Sequence, residues 1–304
     1  MISAVRNLLV WSSKKISNWA KLCFEAYKEW VSDRGGNLAT GLAFYQTLAI
    51  APLVAYVYFL SLKTFGIQKT KDVIIPTITD FFPPKFIDVI KFLLTREKKF
   101  PPSEDSTFIG VTMITFILGT VNYYAQLKDS IEHIWGETRD KFGFWEEVKR
   151  KYNNIKITLS VLLVYTFFVL LNGILPHRSV NHAMVFSIDG DIKIDLLKVI
   201  VQLFFTTVLY TFYFKSMAPY PVRFKEAIPA GILGGIFQEI GRIIMIIIVG
   251  KEGDTDITAS LLSFQIWFYY SNIVLIYSAQ FSKVYVFNKR NTSLERLKSS
   301  YPKT

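Results

Sequence analysis

Apolar residues in this chain fall in blocks of about twenty, and the charged residues fall between the blocks. A run of about 20 apolar residues matches the ~30 Å hydrocarbon core of a bilayer. Six such blocks are readable, at 38–62, 107–124, 155–175, 196–214, 227–249 and 258–286. None alternates with a period of two, so the blocks predict helices and exclude a lipid-spanning barrel. The predicted fold is all-α, a polytopic membrane protein with six transmembrane helices.

Two connecting segments carry a helical period of their own. Ahead of the first block, Ile16, Trp19, Ala20, Cys23, Phe24, Tyr27, Trp30 and Val31 recur at steps of three and four. Lys14, Lys15, Lys21, Glu25, Lys28 and Glu29 take the opposite face, and Gly35-Gly36 ends the pattern. This predicts an amphipathic helix lying in the membrane interface, anchored by Trp and Lys. The same pattern also fits a helix packed on the bundle. In the first outer loop, Phe86, Val89, Ile90, Leu93 and Leu94 repeat the spacing after Pro83-Pro84, a helix start. That loop is expected to form a helical cap. The chain thus divides into an amphipathic segment (1–36), a six-helix domain (37–288) and a polar tail (289–304).

Composition agrees with the pattern. The 304 residues are 51% hydrophobic and 19% charged, and the mean hydropathy is +0.30. These values exclude an ordinary soluble enzyme, a disordered chain and a disulfide-stapled secreted domain. Cys23 is the lone cysteine, so an intramolecular disulfide and a cysteine metal cluster are both impossible. The net charge of +11 is explained by cytoplasmic Lys and Arg and by attraction to anionic head groups, with no specific nucleic-acid partner. The N-terminal segment, the loops after the second and fourth blocks and the tail together hold more Lys and Arg than the opposite side. Eight on that opposite side fall in the long first loop, which counts for less because long loops cross with little regard for charge. Both termini are therefore expected on the cytoplasmic side. Residues 1–11 lack a small-residue cleavage site, so no cleaved signal peptide is expected.

Charge inside a membrane span is expensive and marks function by default. The fifth block holds the clear case, Gln238-Glu239-Ile240-Gly241-Arg242. Glu239 and Arg242 are three apart and can pair on one helix face. Ala227, Gly231, Gly235 and Glu239 recur every four residues, a small-residue row that lets another helix approach. Glu239 should therefore point into the bundle. The pair reads either as a polar centre for a substrate head group or proton, or as a structural ion pair. The sixth block adds Gln265, Tyr269, Asn272 and Gln280 near one stripe. The first adds Tyr45, Gln46 and Pro52, where the proline frees the Leu48 carbonyl and predicts a kink. Together these line one candidate polar cavity, or else serve as separate interhelical hydrogen bonds.

Enzymatic chemistry has little support. His177 and His182 share a loop with Asp189, Asp191 and Asp195, but that spacing is a weak metal signal. Glu252, Asp254 and Asp256 resemble a calcium loop only loosely, without its terminal bidentate Glu. No Walker lysine, GxSxG or HExxH occurs. No catalytic residue, metal or cofactor is expected.

Four stretches resemble the YihY/BrkB family of bacterial inner-membrane proteins, over roughly residues 19–286. They are Asn37 through Tyr45 continuing to Ala51-Pro52-Leu53, Gln126-Leu127-Lys128-Asp129 through Trp135-Gly136, Pro221 through Gly231 followed by Glu239, and Ala259 through Gln280. Where that family commonly has an acidic residue near the end of the last span, this chain has Ala279-Gln280. Arg242 matches the basic residue that usually follows the fifth-span Glu.

The resemblance implies an inner-membrane location and a link to envelope lipids. It also carries an old ribonuclease label, later regarded as a misassignment. The expected function is a transporter or flippase-like protein for an amphipathic substrate, a lipid or lipid-linked saccharide. The alternatives are a non-transporting envelope scaffold and, last, a membrane-bound ribonuclease built on His133, Asp129 and Asp140.

Overall fold

The computed structural model describes residues 2–49, 66, 106–136, 185–188, 192–249 and 257–300. Among these residues are six helices: α1 (Ile2–Ser32), α2 (35–49), α3 (Ser106–Ile134), α4 (Leu196–Met217), α5 (Phe224–Val249) and α6 (Ile257–Ser300). A short antiparallel hairpin joins them, β1 (Val185–Ile188) with β2 (Ile192–Asp195), in the register Val185↔Asp195 through Ile188↔Ile192. The fold is helical as expected, and the hairpin is an addition that the apolar blocks did not predict. Block three, the helix after Pro83-Pro84, Pro52 with its predicted kink, Asp140, His177, His182 and the acidic run at 252–256 all lie outside the described residues.

α6 is the hub. Asn272, Val274, Leu275, Ile276, Ser278, Ala279, Gln280, Phe281 and Ser282 are all buried, which leaves this stretch only the narrow, partly buried row of Ile273 and Tyr277 toward the outside. A helix enclosed on most sides needs several neighbours, and α1, α3, α4 and α5 each pack against it. The core runs along its lower half, where Leu42, Leu127, Ile131, Phe214 and Ala230 meet Ile276, Phe281 and Val286.

α1 is longer than its periodic pattern, beginning at Ile2, and it docks on α6. Trp19 stacks on Phe281 with ring centroids 5.6 Å apart, Ala26 is fully buried, and Trp30 packs on the same core. The apolar face read from the sequence is therefore divided. Trp19, Cys23 and Trp30 turn toward the bundle, whereas Phe24, Tyr27 and Val31 stay exposed. Its end also differs from the expected glycine stop. The break falls at Asp33-Arg34, with Arg34 in the left-handed region at φ 51°, and Gly35 already belongs to α2. Gly35 matters for space instead, since a Cβ there would collide with the Trp30 indole.

α4 and α5 are joined by Ala218-Pro219-Tyr220-Pro221, which can continue neither helix. At the start of α5 the Arg223 carbonyl accepts from the Glu226 and Ala227 amides. The Glu226 carboxylate reaches back to accept from the Arg223 amide at 3.1 Å, half of a capping box. Arg290 donates to the Pro221 carbonyl at 2.8 Å and sits 3.4 Å from Glu226 Oε2. That contact engages the part of α6 beyond residue 286. The predicted polar tail continues the helix to Ser300.

The outside of the bundle is apolar. On α5, Ile228, Ile232, Ile236, Ile240, Ile244 and Ile248 occupy every fourth position and are all exposed. Phe204 and Val208 on α4 and Leu262 and Ile266 on α6 are exposed as well. Among the described residues two segments, Val199–Met217 and Phe224–Met245, are long and apolar enough to cross a membrane, yet only 28% and 33% of each is buried within the protein. A core helix of a water-soluble protein would be mostly enclosed. So much exposed apolar surface belongs in lipid.

Candidate functional site

The small-residue row on α5 faces α4. A Cβ on Gly231 would clash with the Thr211 hydroxyl and lie 2.7 Å from the Thr207 carbonyl oxygen; one on Gly235 would lie 2.7 Å from Thr207 Oγ1. Backbones this close require glycine. Gly234, on the neighbouring row, is crowded by Tyr210 of α4 and by Ser278 Oγ of α6 at 2.7 Å. The expected close approach thus occurs, with α4 as the partner.

Glu239 follows on the same row and is 8% exposed. Arg242 donates to its Oε1 through Nε at 3.0 Å and also through Nη2. The i,i+3 spacing read from the sequence is realised as an ion pair inside the bundle, on the helix whose isoleucine ridge faces outward. Gln238 turns aside from this pair. It donates to Ser271 Oγ at 2.8 Å and stands 3.5 Å from the Tyr210 hydroxyl. The Tyr270 hydroxyl donates to the Phe237 carbonyl at 2.5 Å, and Gly241 is what lets the Tyr270 ring lie against α5.

A second polar node joins three helices. Asn272 donates to Gln46 Oε1 at 2.6 Å and to the Phe268 carbonyl at 2.8 Å, and its Oδ1 accepts from the Tyr123 hydroxyl at 3.3 Å. Gln265 accepts from Thr47 at 2.7 Å on the exposed side of α6. Tyr269 is partly exposed, and a Cβ on Gly36 would sit 3.6 Å from its hydroxyl. Tyr45 packs edge-on against Phe44 at 5.6 Å. Gln280 is fully buried and donates to Asp33 at the α1–α2 turn at 2.5 Å. Gln265, Tyr269, Asn272 and Gln280 thus meet α2 and the α1–α2 turn one after another along α6.

Four tyrosines were absent from the sequence expectation. The Tyr124 and Tyr213 hydroxyls are 2.9 Å apart, Tyr123 lies against Tyr124, and Tyr210 lies near Tyr213. Through Tyr123 the group touches Asn272, and through Tyr210 it reaches Gln238. It is the link between the two nodes. The signal was present in the adjacent Tyr123-Tyr124 and in the three-residue step from Tyr210 to Tyr213. A search restricted to charges and to the amides of two blocks passes over both. His133, on the late turns of α3, is exposed.

A model of one family, Virulence factor BrkB, matches residues 26–303. The chain belongs to the BrkB family. The match takes in every helix described, from within α1 through α6, so the suspected resemblance holds along the whole bundle. With its exposed apolar helices, this BrkB-family chain is a membrane protein. No curated protein and no solved structure matches it.

Proposed function

We propose that this BrkB-family protein is a non-enzymatic, multi-pass transporter of the bacterial inner membrane. Its substrate is amphipathic, a lipid or lipid-linked saccharide, and it is moved in flippase-like fashion. The topology that goes with this reading has six spans, both termini in the cytoplasm and a helical cap on the outer loop. The observation that carries the proposal is the buried Glu239–Arg242 pair in a helix otherwise composed for lipid. Placing one charge at mid-span costs about 2.5–3.5 kcal/mol on insertion scales. A pair of opposite charges offers a polar head group both an acceptor and a donor.

The test has two parts. A fluorescent phospholipid is followed across vesicles holding the purified protein, for wild type and Glu239→Ala. Native mass spectrometry of the gently purified protein, beside Glu239→Gln, identifies a lipid that travels with it. Loss of lipid movement with the fold intact, together with loss of the retained lipid, supports transport at this pair. An unchanged rate in a folded variant removes Glu239 from the path.

A specific observation favours a second reading, that of an envelope scaffold. Arg242 Nε and Nη2 both donate to the Glu239 carboxylate, and Asn272 bonds to Gln46 and Gln238 to Ser271 within the protein. A static bundle needs no more than this. It predicts no lipid movement in wild type either.

A further inference from the structure

A cleft of about 470 Å³ opens on the side of the bundle between α1, α5 and α6. Cys23, Phe24 and Tyr27 of α1 form one wall, and Phe237, Tyr270 and Tyr277 belong to the other. It shares Tyr270 and Phe237 with the surroundings of the α5 pair, but Glu239, Arg242, Gln238, Asn272 and Gln46 do not line it, and the inference does not rest on the transport reading.

Its chemistry is hydrocarbon. Three phenols line it; the two on α6 turn their hydroxyls onto backbone carbonyls, Tyr277 to Cys23 at 3.0 Å and Tyr270 to Phe237 at 2.5 Å, and the third, Tyr27, is exposed at the outer wall. What remains facing the opening is ring and aliphatic surface. At the rim the chemistry changes. Lys28 Nζ stands 4.7 Å above the Phe24 ring, on an exposed side chain, with Lys21 one heptad earlier. Of the acidic neighbours on α1, Glu29 is engaged by Lys283 of α6 at 2.6 Å, so that carboxylate is matched from another helix. Glu25 is left between Lys21 and Lys28, and the rim is net positive.

We propose that this cleft holds one acyl chain of an anionic phospholipid, with the phosphate at Lys28. An apolar slot opening into a bilayer meets acyl chains as its solvent, and a lysine at its edge favours an anionic head group over a zwitterionic one. Bound in this way, the lipid fills the gap between α1 and the span helices. It fixes the amphipathic helix to the bundle through a ligand as well as through Trp19 and Trp30.

Cys23 provides the reporter, because it lines the cleft and is the single cysteine of the chain. The rate of its alkylation by an uncharged maleimide is compared in phosphatidylcholine vesicles with and without phosphatidylglycerol. The same pair of measurements is made on Lys28→Gln, an exposed substitution. Phosphatidylglycerol is expected to slow the wild-type reaction about fivefold, the effect of one juxtamembrane lysine. In Lys28→Gln the two vesicle types should give equal rates. Equal rates in wild type overturn the proposal. So does a phosphatidylglycerol effect that survives in Lys28→Gln, since that is a change in surface pH rather than a bound lipid.

Discussion

Asn272 donates its side-chain amide to Gln46 Oε1 at 2.6 Å, joining helices whose sequence positions lie 226 residues apart. Asn272 is 1% exposed, so its amide depends on protein partners alone. Truncation to Leu leaves the Gln46 oxygen and the Tyr123 hydroxyl without their partner. Hydrogen bonds between membrane helices average about 0.6 kcal/mol and reach about 1.7. A double-mutant cycle on Gln46→Ala and Asn272→Ala, read by thermal unfolding in detergent, should give a coupling in that range. Coupling below the error of the method means that the two amides are held by their other neighbours.

The Glu239–Arg242 pair predicts a different pattern. Glu239→Gln alone leaves a guanidinium buried without its counter-charge, and breaking a buried pair from one side costs about 3–5 kcal/mol. Glu239→Gln with Arg242→Met removes both charges and should recover most of the loss. Unfolding midpoints of the two variants decide this. A double variant no better than the single shows that Arg242 is not what makes the lone substitution costly. Transport, if the pair is a substrate centre, should be lost in both.

Close packing at α5 gives a prediction that separates two kinds of glycine. Gly231→Ala places a methyl group 2.7 Å from the Thr207 carbonyl oxygen, and a backbone atom cannot turn away. The cost should be about 1–3 kcal/mol, and Thr211→Ala should not restore it. At Gly241 the nearest atoms belong to the Tyr270 ring. Tyr270→Ala should therefore relieve Gly241→Ala, leaving the double variant more stable than the two single costs predict. Additive costs at Gly241 would place the obstruction in the backbone there too.

How far the sequence could be read follows from these contacts. The Glu239–Arg242 pair and the glycine row were legible because helical spacing alone fixes which side chains share a face. The amides were legible as types. Their partners were not, since spacing within one helix says nothing about which helix comes alongside. The stripe of Gln265, Tyr269, Asn272 and Gln280 left a shared cavity and separate interhelical hydrogen bonds equally open, because spacing on α6 does not say that Thr47, Gln46 and Asp33 come alongside it one after another. Tyr123, Tyr124, Tyr210 and Tyr213 count as apolar in a hydropathy reading, and their hydroxyls matter only once two helices are placed together. The β1–β2 hairpin had a local signal, Asp189-Gly190 between two β-rich runs, that a search for long apolar blocks does not register. The split face of α1 was beyond reach for a related reason: periodicity shows that a face is apolar, not whether protein or lipid covers it.

The isoleucine ridge of α5 tests what surrounds the bundle. Ile232, Ile236 and Ile240 are 44%, 41% and 46% exposed, and they touch none of the polar contacts described above. In water, replacing an exposed isoleucine by lysine changes stability by less than about 0.5 kcal/mol. At the centre of a membrane span the same change costs about 2.5–3.5 kcal/mol on insertion scales. Ile228 and Ile248, nearer the ends, should tolerate lysine better because the side chain can reach the interface. A lysine scan along the ridge, read as membrane-inserted protein, should therefore be worst near Ile236 and ease toward both ends. A flat profile would mean that this ridge faces water or another protein. A spin label carried along the same positions should show oxygen accessibility peaking at the position where lysine is least tolerated, which ties the depth of α5 to a measurement that does not depend on stability.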